Sequence, residues 1–340
     1  MRLLEALNVS KIFGDGLLSR RRTVAVDDVS LIINEEKPVI VAIAGESGSG
    51  KTTLARLLLG MIQPSTGAIR FRQQELGKMK HDDRKSFRRQ VQAIFQDPFE
   101  AYNPFYKVDQ VLTIPVRKFN LASSHQDAER LIGESLQMAG LRPEDTLGRY
   151  PHQLSGGQRQ RIMVARALLL NPKIILADEP VSMVDASLRA TILESLMKVK
   201  RELGISLLYI THDLTTAYQI SDYIYILYRG SVAEMGSVEN VIKDPQHPYT
   251  RLLVSSIPLP DPDHPWGNEG DLERKASATR TAAKSTHGCK FANRCPFVMD
   301  ECHEKAPPLY RTNPKRAVAC YLYKNAPTIG GKEMAEELAV

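Results

Sequence analysis

Apolar positions along this chain fall into short unbroken runs that alternate with stretches of helical spacing. Val39-Ile40-Val41-Ala42-Ile43-Ala44 is an apolar run of strand length, and Thr53 to Met61 follows it with helical periodicity. Lys173-Ile174-Ile175-Leu176-Ala177 repeats the strand pattern, while Asp127 to Ala139 and Ile162 to Leu170 repeat the helical one. Strands rich in Val, Ile and Leu alternating with helices predict an α/β fold. The apolar runs are far too short to span a bilayer, and MRLLEALNVSK lacks the long apolar segment and small-residue cleavage site of a signal peptide, so a cytosolic protein is expected.

Composition changes this picture little. The chain has 340 residues, 43% of them hydrophobic, enough for a sizeable core plus a smaller appendage. The net charge of +6 is mild. Basic residues cluster at Arg20-Arg21-Arg22 and between Lys78 and Arg89, a pattern read as solvated surface charge in preference to a nucleic-acid or anionic-membrane contact.

The chemistry sits where strands end. Val39 to Ala44 runs into Gly45-Glu46-Ser47-Gly48-Ser49-Gly50-Lys51-Thr52, with Thr53 opening the helix. This G-x-x-x-x-G-K-[ST] string stands in the strand–loop–helix context that a phosphate-binding loop requires. Glycines let backbone N–H groups turn inward around phosphate oxygens, Lys51 supplies a point charge, and the Thr52 hydroxyl suits Mg²⁺. The second apolar strand ends in Asp178-Glu179-Pro180. Two adjacent carboxylates there suit a metal–phosphate: Asp178 to hold Mg²⁺, directly or through water, and Glu179 to poise the attacking water as general base.

Between these elements lies Leu154-Ser155-Gly156-Gly157-Gln158, followed by the helical run Ile162 to Leu170. Ser155 and Gly157 offer a hydroxyl and bare N–H groups at a helix N-terminus, a second anion site. One chain needs only one phosphate site per nucleotide, so two sites point to two chains facing head to tail with composite active sites. LSGGQ between the phosphate loop and the carboxylate pair resembles the signature of ABC-type ATPases, and the remaining landmarks follow in order. Phe13 matches the aromatic that stacks on adenine, and Gln96 in Ile94-Phe95-Gln96-Asp97-Pro98 matches the Q-loop, which looks to Mg²⁺ and the coupling surface. Asp185 in Ser182-Met183-Val184-Asp185 matches the D-loop, although relatives usually read Ala-Leu where this chain has Met183-Val184. His212 in Ile210-Thr211-His212-Asp213 matches the switch histidine, expected to touch the γ-phosphate and hold the water of Glu179. The resemblance implies a RecA-like P-loop core over 1–255, with an antiparallel β-subdomain near the N-terminus and a helical subdomain over about 97–155.

Downstream, Asp244-Pro245-Gln246-His247-Pro248-Tyr249-Thr250-Arg251-Leu252-Leu253 resembles the HPYT-R-L segment of oligopeptide/dipeptide importer ATPases. Residues 256–287 read as a linker, 288–325 as a small cysteine-rich module and 326–340 as a tail. All the cysteines lie there: Cys289, Cys295, Cys302 and Cys320. A module too short for its own core suggests a staple, and in a cytosolic protein a metal is favoured over a disulfide. The intervening gaps of five, six and seventeen residues suit zinc poorly and match neither common ferredoxin pattern, which leaves iron–sulfur, zinc and free thiols open. The C-x-F-x-x-R-C-P…C…V-A-C string is similar to the C-terminal extension of dipeptide-importer ATPases, and that resemblance implies a [4Fe–4S] cluster of structural or gating purpose.

The same resemblance implies an ATP-hydrolysing importer subunit for oligopeptides, dipeptides or similar solutes, peripheral on the cytoplasmic face of the inner membrane. Its partners would be a second ATPase subunit, identical or paralogous, two transmembrane permease subunits and, indirectly, an extracytoplasmic solute-binding protein, with no nucleic acid. Tyr102 and Phe105 are apolar candidates to receive the permease's coupling helix. The rival is a soluble ABC ATPase acting on nucleic acid or ribosomes. Against it, the chain carries one cassette and no heptad run.

Overall fold

The computed structural model describes residues 1–14, 22–96, 102–182, 184–257 and 288–339. Its strands along the chain are β1 (Arg2–Phe13), β2 (Thr23–Asn34), β3 (Ile40–Ala44), β4 (Thr66–Phe71), β5 (Gln74–Glu75) and β6 (Val91–Ile94). They continue as β7 (Ile174–Asp178), β8 (Ser206–Thr211), β9 (Tyr223–Tyr228), β10 (Ser231–Ser237), β11 (Tyr310–Asn313) and β12 (Arg316–Val318). The chain divides into two compact units, one of residues 1–34, 41–77 and 211–340, the other of 35–40 and 78–210.

The first unit holds the expected antiparallel β-subdomain, in the order β2-β1-β4-β5. Its core strand β3 is buried throughout and pairs in parallel with β9, from Val41 opposite Tyr223 to Ala44 opposite Ile226. β9 pairs antiparallel with β10, β10 with β12, and β12 with β11. The segment between Cys302 and Cys320 therefore extends the core sheet. The stretch read from sequence as a separate tail is tied in as well. Ile329 N–H donates to Leu309 O at 2.9 Å, and the helix Gly331–Leu338 buries Met334, Ala335 and Leu338 while packing on β1 and β2. The physical reason is the shortage of apolar residues that the sequence already shows: Tyr310, Val318 and Cys320 form a cluster too small to stand alone. The linker expected over 256–287 lies, from residue 258 onward, outside the described residues.

The second unit carries the parallel strands β6, β7 and β8, with Ala177 opposite Ile94 on one side and Tyr209 on the other. Helices His81–Gln90, Asp109–Lys118, His125–Met138, Pro143–Thr146, Gly156–Leu168 and Ala186–Leu203 complete it. The helical spacing seen from Asp127 begins two residues earlier, because the Ser124 hydroxyl caps the helix by accepting from Asp127 N–H at 3.1 Å. Among the described residues no helix is long and apolar enough to cross a membrane.

Candidate functional site

Gly45 to Thr52 connects β3 to the helix Lys51–Leu58 as the spacing predicts. Two glycines are indispensable to its path. Gly45 has φ 148°, and a Cβ there would stand 2.2 Å from Leu227 O; Gly50 caps the helix at φ 106°, and a Cβ there would stand 2.3 Å from Ala25 O. Ser47 and Gly48 are exposed, Ser49 is buried, Thr52 is exposed and Thr53 half-buried. The Lys51 ammonium is buried against the loop, donating to Gly45 O at 2.7 Å and Glu46 O at 2.9 Å. A glycine-bearing loop, a helix N-terminus and a held lysine are the elements that suit anionic oxygens.

β7 delivers the carboxylates. Asp178 is its buried last residue, and Glu179 N–H donates to Ile210 O at 2.9 Å. Glu179 has φ 46°, a left-handed conformation that costs a non-glycine residue on the order of 1 kcal/mol or more and is held where function uses it. Its Oε2 accepts from Gln96 Nε2 at 3.0 Å. The structure thus joins two residues that the sequence nominated separately. Asp97 and Pro98, the Q-loop residues after Gln96, lie outside the described residues.

Ser155 caps the helix Gly156–Leu168 through a capping box: its hydroxyl accepts from Gln158 N–H at 3.2 Å, and Gln158 Oε1 accepts from Ser155 N–H at 2.9 Å. The Ser155 side chain is exposed, and its O–H still has a proton to donate. Leu154 is buried and Gly156 half-buried, while Gly157 lets Leu188 pack close, since a Cβ there would meet Leu188 Cδ1 at 2.7 Å. Asp185 is exposed at the N-cap of the helix Ala186–Leu203; Met183 lies outside the described residues. His212 is exposed at the end of β8, beside Asp213, whose carboxylate caps the next helix through Thr215 N–H at 2.9 Å. Phe13 is 44% exposed at the end of β1 with Lys11 Nζ 5.3 Å from its ring centre. That exposure leaves its ring at the surface rather than in the core.

Cys289, Cys295, Cys302 and Cys320 line one small, largely enclosed pocket together with Phe291 and Met299. Cys289 N–H donates to Cys302 O at 2.7 Å. Burial, with the neighbouring thiols adding to it, raises the Cys289 thiol and pushes Cys295 up to about 11 and Cys320 up to about 12. Among the described residues no three His, Cys, Asp or Glu side chains stand at the spacing of ligands to a single metal ion. The donor set itself, four thiols in apolar surroundings, suits a soft metal group.

Sequence reasoning missed the residues that tie this cysteine segment to the phosphate loop. Arg294 clamps the Glu46 carboxylate with two hydrogen bonds of 2.9 Å, and Glu46 N–H donates to the Tyr249 hydroxyl at 2.8 Å. Phe291 is buried against the rings of Tyr228 and Tyr249, at centroid distances of 5.2 and 5.6 Å. Lys290 Nζ reaches Asp27 at 2.7 Å. Glu234 was likewise unnoticed. It is fully buried and accepts from His247 N–H at 2.9 Å and Gln246 N–H at 3.2 Å. Burial pushes Glu234 up to about 7 and His247 down to about 3. The one prior signal was the HPY string itself, whose His247 and Tyr249 both proved buried.

Residues 26–182 match the ABC transporter family, and residues 233–302 match the oligopeptide/dipeptide transporter C-terminal region. The chain is 40% identical over 329 residues to a putative oligopeptide transport ATP-binding protein of Bacillus subtilis, covering 96% of this chain and 98% of that one. It is 37% identical over 296 residues to an oligopeptide transport ATP-binding protein of Escherichia coli, covering 87% of each. Among solved structures it is similar to a dimeric ATP-binding cassette in a post-hydrolysis state with ADP and Pi, at 30% identity and a TM-score of 0.62, over 69% of this chain and 99% of that one. A phosphate loop, a capped signature helix and a glutamine-held carboxylate, followed by the matching C-terminal region, place this chain in the oligopeptide/dipeptide family of ABC transporter ATP-binding subunits.

Proposed function

We propose that this chain is the ATP-hydrolysing subunit of an importer for oligopeptides, dipeptides or similar solutes, acting peripherally on the cytoplasmic face of the inner membrane. The observation that carries the reading is the oligopeptide/dipeptide match over 233–302, on a chain whose residues 26–182 match the ABC transporter family. In this reading Phe13 stacks on the adenine, while Lys51 and loop N–H groups between Gly45 and Thr53, Glu46 N–H excepted because it donates to Tyr249 Oη, hold the phosphates. Glu179, oriented by its hydrogen bond from Gln96, takes the proton of the attacking water, and His212 assists at the γ-phosphate. Mg²⁺ bound with ATP would neutralise phosphate charge, and Thr52, Gln96 and Asp178 are the side chains that would hold it. Leu154 to Gln158 and Asp185 would serve the nucleotide of a second ATPase subunit, in keeping with the dimeric form of a similar cassette.

Two permease subunits would receive the work, fed by an extracytoplasmic solute-binding protein. Phe105, 86% exposed, is the apolar candidate for their coupling helices; Tyr102 is buried, its hydroxyl donating to Arg159 O at 2.8 Å, and belongs to subdomain packing. Co-expression with permease subunits of an oligopeptide importer and reconstitution in vesicles tests the reading. Peptide-stimulated ATP hydrolysis and uptake are expected. Stimulation by RNA or ribosomes instead would favour the rival.

The cysteine pocket is proposed to hold a [4Fe–4S] cluster on Cys289, Cys295, Cys302 and Cys320. Support comes from the four thiols lining one apolar pocket, a donor set of the kind that soft iron–sulfur groups take. Such a cluster would supply a covalent staple to a segment without its own core. Anaerobically purified protein is expected to contain iron and sulfide near stoichiometry. Zinc at one per chain without iron would overturn the assignment.

A further inference from the structure

The phosphate loop is held from outside itself. Every polar group of Glu46 is engaged: its N–H donates to Tyr249 Oη at 2.8 Å, its carbonyl accepts from Lys51 Nζ at 2.9 Å and Ser49 N–H at 3.1 Å, and its carboxylate receives both Arg294 donors at 2.9 Å. Arg294 is itself fixed. Its guanidinium lies 5.5 Å from the Phe291 ring centre and 5.9 Å from that of Tyr228, and its backbone N–H donates to Phe291 O at 2.9 Å. Lys290, on the same segment, donates to Asp27, Arg229 O and Ser231. The five residues between Cys289 and Cys295 thus contribute a charged tether, an aromatic anchor and a bidentate clamp.

We propose that Arg294 is a positioning residue for nucleotide binding: by clamping the Glu46 carboxylate it fixes the Glu46 carbonyl on which the Lys51 ammonium rests. A planar guanidinium gripping a carboxylate through two bonds sets orientation as well as distance, which a single flexible ammonium does not. The pair is 31% and 39% exposed, so it adds little to global stability. Its consequence is local: it sets where the loop presents its lysine to the phosphates. The segment carrying the cysteines thereby reports to the nucleotide cradle. The proposal rests on the ATPase reading above.

The experiment is a double-mutant cycle on the full chain, reading the Kd for Mg-ATP and the melting temperature. Arg294→Met is expected to raise Kd by about three- to tenfold with little change in melting temperature, as does Glu46→Ala, and the double variant no further. Arg294→Lys recovers part of the loss. If Arg294→Met leaves Kd unchanged, or if its effect multiplies with that of Glu46→Ala, the proposal is overturned. Should Arg294→Met lower the melting temperature sharply, Glu46→Ala decides alone, because it leaves Arg294 on its rings; an unchanged Kd there also overturns the proposal. Wild type and Lys51→Ala separate this from the underlying reading. If wild type does not bind Mg-ATP, the ATPase reading falls; if it binds and Lys51→Ala weakens it while Arg294→Met is silent, only the clamp falls.

Discussion

The two compact units of this chain are held by polar contacts of different reach. In the unit of 78–210, most are local: the capping box of Ser155 and Gln158, the Ser124 cap, and the Arg130–Glu134 and Arg142–Asp145 pairs. In the other unit, beside local caps such as Asp213 on Thr215, several join early and late parts of the chain: Glu46 to Arg294, Asp27 to Lys290, and Arg2 to Glu336 at 2.6 Å. The difference follows from architecture. Helices satisfy their backbones internally and take caps from neighbouring residues, whereas a sheet assembled from distant strands places distant side chains together. The signature helix should therefore tolerate loss of remote contacts. The phosphate loop should feel changes hundreds of residues away.

The largest expected effect tests chemistry in the locally built unit. Glu179→Gln should lower kcat by about 10²–10⁴-fold while leaving Mg-ATP affinity and melting temperature near wild type, since a base is lost and packing is kept. Single-turnover hydrolysis within about tenfold of wild type would remove Glu179 from that role.

Next is the phosphate loop's own geometry. Gly50→Ala forces a side chain into φ 106° and onto Ala25 O, so Mg-ATP affinity should fall at least about tenfold and stability by about 1–3 kcal/mol. Ser155→Ala is the contrast: about 1 kcal/mol of cap is lost, as read by urea unfolding, while the chain's own Mg-ATP affinity is kept. Equal losses of affinity in both variants would erase the distinction between the units.

If the pocket holds the proposed cluster, Cys320→Ser should abolish iron binding yet raise the Kd for Mg-ATP no more than Arg294→Met, because the Phe291 packing and the Lys290 contacts do not use the thiols. A larger rise, measured by calorimetry, would make the pocket's occupant the main support of the loop.

The last test reads a slope with pH. Glu234, raised from 4.5 to about 7, keeps its proton in the folded chain after the unfolded chain has lost it, so it lowers stability as pH rises from about 4.5 to 7. His247, lowered from 6.5 to about 3, stays neutral when the unfolded chain is charged, so it raises stability as pH rises from about 3 to 6.5. Between about pH 4.5 and 6.5 the two oppose each other, each by about 1.4 kcal/mol per pH unit. In Glu234→Gln the histidine acts alone, and stability relative to wild type should climb by that slope across the window. Parallel urea-unfolding profiles at pH 4.5, 5.5 and 6.5 would show that Glu234 does not titrate there.

Much of the nucleotide machinery was legible because its chemistry is local. Gly45 to Thr52 must turn tightly between a strand and a helix, and Ser155 and Gln158 satisfy each other three residues apart, so each string carries its own geometry. The exposure of Phe13 and the Gln96–Glu179 hydrogen bond were less readable, since side-chain direction and an 83-residue separation are not written in any window of sequence.

By itself the sequence determined the alternation of strand and helix, the phosphate loop, the carboxylate pair, the signature helix and the resemblance of its C-terminal region to peptide importers. All rest on residue types at short fixed spacing, where backbone sterics and capping act. Only the tertiary structure decided that the cysteine segment adds strands to the core sheet, that its four thiols share one pocket and that Arg294 grips Glu46. Those outcomes depend on which distant strands pair, and strand pairing is settled by the burial of a common core rather than by any local run of residues.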